Sequence, residues 1–166
     1  MSRAFVKEPD GDHADEEVVE KPQSDFPNYM TLSGLQEMKQ NLEELKQQYR
    51  ELKKDEGNMQ IKNQIKRIEA DLRYLEKRIQ CAILVDTSKI DSSEIRFGAQ
   101  VSLVDENDKH YQFRIVGEDE ADVEKGLISW VSPLASELIG KKTGDVLIWE
   151  RPSGDLELEV LDFSYN

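Results

Sequence analysis

The chain has 166 residues, a formal net charge of −13, 37% hydrophobic and 34% charged residues. That length allows one ordinary domain, or a small domain with an appendage. The acidic balance excludes binding duplex nucleic acid over the whole surface. No apolar run approaches the ~20 residues of a membrane span, and no signal peptide is visible. The single cysteine, Cys81, excludes an internal disulfide, and a cytoplasmic compartment is expected.

Residues 1–28 carry three basic and eight acidic side chains and little apolar periodicity. Such a stretch cannot bury enough surface to fold alone, so it is expected to be a disordered acidic tail. Val18, Val19 and Phe26 are its candidates for transient docking, and His13 has no partners in metal-ligand spacing.

The region that follows is the most strongly patterned. Leu32, Leu35, Met38, Leu42, Leu45, Tyr49 and Leu52 recur every three or four residues, and so do Ile61, Ile65, Ile68, Leu72, Leu75, Ile79 and Ala82. The spacing predicts two helical arms with heptad seams, joined at Asp55-Glu56-Gly57-Asn58 as an antiparallel coiled-coil hairpin over 29–86. The facing pairs Leu52–Ile61, Tyr49–Ile65, Leu45–Ile68, Leu42–Leu72 and Met38–Leu75 have numbers that sum to 113 or 114, so the register holds throughout. At 1.5 Å per residue this is a finger roughly 35 Å long. Thr31 or Ser33 can cap the first helix, a left-handed Gly57 can end it, and Asn58 can cap the second. Gly34 falls in the first turn, where its cost is small.

Residues 29–86 have a net charge of +1 and are the only part that is not acidic, since residues 87–166 have a net charge of −9. The distal half of the hairpin concentrates Arg50, Lys53, Lys54, Lys62 and Lys66 among Glu43, Glu44, Glu51 and Glu69. That mixture fits a solvated coiled-coil face, and it equally fits a surface that faces RNA.

After a polar linker at 87–94, residues 95–166 read as a small α+β domain. Strands are expected at Gly98–Val104, His110–Val116, Leu127–Val131, Asp145–Arg151 and Leu156–Phe163. Asp105–Lys109 is a hairpin turn, and Gly117–Gly126 is an acidic loop or short helix. Ser132-Pro133 opens a helix, with Ser as cap and Pro at the first position. Leu134, Ala135, Leu138 and Ile139 form its expected buried face, and Gly140 ends it. Trp130 and Trp149 suit core or half-buried strand positions better than surface anchors. Glu118-Asp119-Glu120-Ala121-Asp122 has no companion ligands and reads as a solvated loop.

Over residues 29–166 the chain resembles the bacterial Gre family of transcript cleavage factors. The resemblance rests on Tyr29-Met30-Thr31-Leu32-Ser33-Gly34-Leu35, Phe97-Gly98-Ala99, Tyr111 with Phe113-Arg114-Ile115-Val116-Gly117, and Asp119-Glu120-Ala121-Asp122. It continues through Ile128-Ser129, Ser132-Pro133-Leu134-Ala135, Leu138-Ile139-Gly140-Lys141-Lys142, Gly144-Asp145, Pro152, Gly154 and Tyr165. It implies an FKBP-like C-terminal sheet and helix seated on the rim of the secondary channel of bacterial RNA polymerase. Ser129, Ser132 and Pro133 would make that contact, although some members carry an acidic residue where Val131 stands. The coiled coil would pass down the channel towards the nascent RNA 3′ end. Acidic residues at its tip would help hold a second Mg²⁺ of the polymerase's own two-metal site. The chain would be a monomer, without an intrinsic cofactor, metal or catalytic residue, and not itself an enzyme.

Two departures bear on that expectation. The family's cleavage-competent tip, an Asp, two residues, then Glu-Asn, is missing, and the arms look about one heptad shorter, or about 10 Å less reach. Asp55 and Glu56 are the remaining candidates for assisting Mg²⁺, against the alternative of an ordinary solvated turn. The expected function is therefore modulation of elongation, with transcript cleavage as one version and a non-cleaving channel occupant that competes with cleavage factors as the other. A prolyl isomerase and a generic coiled-coil interaction module are the remaining alternatives, and fold alone does not favour the first.

Overall fold

A computed structural model describes residues 17–55, 57–91 and 93–165. The acidic stretch at 1–16, including His13, and Glu56 at the tip lie outside the described residues.

Strand β1 (Tyr29–Met30) leads directly into helix α1 (Leu32–Leu52). Thr31 is the N-cap, its side chain accepting from the Gly34 N–H. A single 3₁₀ turn, Lys53–Asp55, closes the first arm. Lys53 N–H in that turn donates to the Tyr49 carbonyl. Asn58 caps α2 (Met59–Gln80) by accepting from Gln60 N–H at 2.9 Å. Contacts between the arms link residues further apart in sequence towards the base, from Tyr49–Glu69 to Lys46–Glu76, as an antiparallel hairpin requires. Met38, Leu42 and Ile65 are buried in the seam. Leu32 is not: it stands 57% exposed, because the seam begins one position later on the same face, at Leu35.

At the base, β1 pairs in parallel with β2 (Ile83–Leu84). This two-stranded clip was not visible as a pattern, since two residues are too few to show a period. The remaining strands form one curled sheet: β3 (Gln100–Asp105), β4 (His110–Val116), β5 (Leu127–Ser129), β6 (Val146–Trp149) and β7 (Leu156–Ser164), in the order β5-β4-β3-β7-β6. The α+β class and the two-part arrangement are as expected. One pair, β4–β5, is parallel rather than antiparallel. A parallel pair needs a crossover, and residues 117–126 supply it through two 3₁₀ turns, Glu118–Glu120 and Val123–Lys125.

Helix α3 (Pro133–Leu138) lies against one face of the sheet and buries Leu134, Ala135 and Leu138. They complete a core with Ile95, Val101, Leu103, Ile115, Leu158 and Val160, all fully buried or nearly so. Ile139 does not join them; it is 38% exposed because α3 has already ended and the backbone has turned extended. Trp130 and Trp149 are half-buried against this core. No helix among the described residues is long and apolar enough to cross a membrane.

Candidate functional site: a clasped base, a rim loop and a charged tip

The acidic run 118–122 is not a solvated loop. It is the part of the sheet domain that grips the hairpin. Arg78, on the last turn of α2, is 2% exposed, and its Nε donates to Asp119 Oδ2 at 2.6 Å. One guanidinium nitrogen lies 3.7 Å from Glu118 Oε2, and it also donates to Asn28 Oδ1. Asn28 in turn donates from its amide to the Arg78 carbonyl at 2.7 Å. Tyr74, one turn earlier on the same face, donates its hydroxyl to Asp119 Oδ1 at 2.6 Å. Burial, and then that hydrogen bond to a carboxylate, push the Tyr74 phenol up to about 12. A charge as deeply buried as Arg78 persists only where its donors are satisfied, and here a fork of carboxylates and an amide does so.

Glu120 performs the second half of the grip. Its Oε2 accepts from Thr31 N–H at 3.0 Å and from Gly117 N–H at 2.9 Å, and its Oε1 accepts from the Thr31 hydroxyl. The residue that caps α1 is thereby tied to the crossover of the sheet. Gly34 is what lets Glu120 in: a Cβ on Gly34 would stand 2.1 Å from the Glu120 carboxyl. Gly117 has the same role for the backbone, since a Cβ there would meet the Tyr29 carbonyl at 2.3 Å.

The loop of Ser129, Ser132 and Pro133, the expected rim contact and hence the rim loop, lies beside this base. Ser129 ends β5; its hydroxyl accepts from Val131 N–H at 3.3 Å and its carbonyl from Ser132 N–H at 2.9 Å. Ser132 caps α3 by accepting from Ala135 N–H at 3.3 Å, and Pro133 stands exposed at the first helical position. The structure therefore brings Ser129, Ser132 and Pro133 together in one tight turn. Trp130, between them, packs against Tyr29 at 5.1 Å between ring centroids, which ties the loop to the start of the hairpin.

The tip is at the other end of a 21-residue helix, about 32 Å away at 1.5 Å per residue. Asp55 is exposed in the 3₁₀ turn. Glu56, the other acidic candidate, is not among the described residues. Asn58 is engaged as a helix cap. No group of three or more His, Cys, Asp or Glu side chains among the described residues could hold a metal ion. Of the basic candidates, Arg50, Lys53, Lys54, Lys62 and Lys66 are all exposed on the distal half. Lys54 pairs with Glu51 at 2.7 Å, and Lys53 lies 5.5 Å over the Tyr49 ring. The tip and rim candidates are thus not one site but two, at opposite ends of the hairpin.

The clasp residues Arg78, Tyr74, Asp119 and Glu120 went unread in the sequence. The available signal was an Arg breaking the polar flank beside Ile79, together with a glycine directly before an acidic run.

Comparison with known proteins finds similar chains. The family model described as transcription elongation factor, GreA/GreB, C-term, matches residues 90–165. Transcription elongation factor GreA of Alkalilimnicola ehrlichii is 36% identical over 107 residues, covering 63% of this chain and 68% of that protein. GreA of Acidiphilium cryptum is 44% identical over 95 residues, or 57% of this chain and 60% of that protein. The chain thus spans less than two thirds of the length of that relative. Among solved structures, GreA factor homolog 1 of Thermus thermophilus is 26% identical, with 84% of this chain and 99% of that one covered and a TM-score of 0.41.

Proposed function

The chain belongs to the GreA/GreB family of transcription elongation factors, and from that membership we propose that it acts on bacterial RNA polymerase in the cytoplasm. In this reading the C-terminal domain seats on the rim of the secondary channel through the loop of Ser129, Ser132 and Pro133. The hairpin enters the channel and modulates elongation, with Arg50, Lys53, Lys54, Lys62 and Lys66 facing nucleic acid. The observation that carries the reading is the clasp. Buried Arg78, held by Asp119, makes a long finger and a presenting loop into one lever, which a generic coiled-coil module does not need. Basic side chains near the tip would meet RNA phosphates at short range.

The chain would not itself be an enzyme; any RNA cleavage would be the polymerase's own metal chemistry. Asp55 and Glu56 are the only acidic side chains the turn offers to it. A second reading, channel occupancy without stimulated cleavage, is favoured by the use of Asn58 as a helix cap and by the missing Asp, two residues, Glu-Asn tip.

Recovery of core RNA polymerase on the immobilised chain tests the main reading. Wild type should retain the enzyme, and Ser132→Lys with Pro133→Ala should retain less. Ser132→Asn keeps a good helix cap and controls for folding of α3. Failure of the wild-type chain to retain polymerase would sink the proposal. Cleavage of RNA in stalled complexes then separates the two versions: stimulation that disappears in Asp55→Ala/Glu56→Ala supports an acting tip, and no stimulation by wild type supports the occupant.

A further inference from the structure

Residues 17–28 were expected to be part of a disordered tail. They have no helix or strand, but they do not hang free. Passing back from the base, the segment climbs α2. Ser24 donates its hydroxyl to Glu118 Oε1 at 2.9 Å. Lys21 pairs with Asp71 at 3.1 Å and lies 5.5 Å over the Tyr74 ring. Glu20 accepts from Arg73 Nε at 2.9 Å. Phe26 packs edge-on against Trp130, at 6.0 Å between centroids and 81° between planes. The partners belong to two different bodies. Asp71, Arg73 and Tyr74 are on the hairpin, while Glu118 and Trp130 are on the sheet domain.

We propose that residues 17–28 are a strap whose Phe26 and Ser24 are positioning residues: they hold the finger at a set angle to the rim loop, and so determine how well finger and loop engage the polymerase together. The physical reason is leverage. A rotation of a few degrees at the base moves the far end of a finger about 32 Å long by several ångströms. The clasp around Arg78 holds that joint, and the strap extends the grip from Glu118 to the tryptophan inside the rim loop. Relative motion of two bodies joined by a small, polar interface is the default, so a second attachment that reaches beyond the clasp is what limits it. The contributions are unequal. Glu20–Arg73 and Lys21–Asp71 are surface pairs, which are individually weak. Phe26–Trp130 is an aromatic pair, worth more than its area alone, and Ser24 supplies Glu118 with a neutral donor beside Arg78. The proposal takes its meaning from the channel reading, but the geometry it asserts belongs to the free protein.

Electron–electron distance measurement on the free full-length chain tests it. With Cys81→Ser, spin labels at Met59→Cys, at the tip end of α2, and Asn107→Cys, in the β3–β4 turn, report the angle. The parent should give one narrow distribution. Phe26→Ala and deletion of residues 1–27 should each broaden it about twofold, the freedom expected of bodies joined by one small interface, and Phe26→Trp should narrow it again. Phe26 is 56% exposed, so its truncation leaves the cores intact, and an unchanged melting temperature of the sheet domain checks this. Distributions of equal width in the parent, Phe26→Ala and the deletion would overturn the proposal. The readout needs no polymerase, so it is independent of whether the channel reading survives. Where polymerase is retained, Phe26→Ala should weaken retention while Glu20→Ala leaves it nearly unchanged; equal effects of the two would also overturn the role assigned to Phe26.

Discussion

The two ends of the hairpin use the same kinds of side chain for opposite purposes. At the base, Arg78 and Asp119 are 2% and 12% exposed and hold each other. At the tip, Lys54 and Glu51 are paired just as closely but are 69% and 64% exposed. Buried charges depend on their partners, because an unpaired one cannot be solvated; exposed charges fall back on water. The base is therefore structural and the tip is free to be functional, although both look like charged helix in sequence.

That contrast sets the order of expected effects. Asp119→Ala strands a buried guanidinium and should cost about 3–5 kcal/mol, read as a lower denaturant midpoint and faster amide exchange at 29–31 and 117–120. If the double variant Arg78→Met/Asp119→Leu is no more stable than Asp119→Ala alone, the stranded charge is not the cause. Glu120→Ala removes three hydrogen bonds from the α1 cap and the crossover, for a loss of about 1–3 kcal/mol. Gly34→Ala should lose a comparable amount by displacing the Glu120 carboxyl. A Gly34→Ala protein as stable as wild type would mean that Glu120 does not sit where the grip requires.

A pH titration gives a smaller and more selective effect. An unfolded tyrosine ionises near pH 10, whereas in the fold burial and the bond to Asp119 push Tyr74 up to about 12. The folded state thus favours the protonated phenol. The stabilisation is complete below pH 10 and is lost as the pH rises through 12. Melting temperature should fall between pH 10 and 12 more steeply in wild type than in Tyr74→Phe; identical slopes would show that the hydroxyl is not in the grip. At the bottom of the scale, Lys54→Ala or Asp55→Ala should change stability by no more than about 0.5 kcal/mol, with any loss confined to polymerase assays. A tip substitution that unfolds the hairpin would erase the distinction between the two ends.

The hairpin was legible because Leu35 to Leu52 and Ile61 to Ala82 repeat at helical spacing, and that period depends only on which face is buried. The turn that opens α3 was legible through Ser132-Pro133, a local signal that needs no partner to be understood. Asp119 and Glu120 were not, since an acidic run in a loop has the same composition whether water or an arginine faces it. Phe26 was legible only as a candidate for transient docking, because a lone aromatic in an acidic segment has no period to reveal its partner.

By itself, then, the sequence determined the elements: two amphipathic arms, five strands, a capped short helix and a charged turn. Each of those is decided within a few residues, by periodicity and capping. The tertiary structure alone decided how they are joined. Arg78 meets Asp119 across 41 positions, Thr31 meets Glu120 across 89, and Ser24 meets Glu118 across 94. The meaning of a charged or polar side chain lies in what is opposite it when water leaves, and only the folded chain brings those partners together.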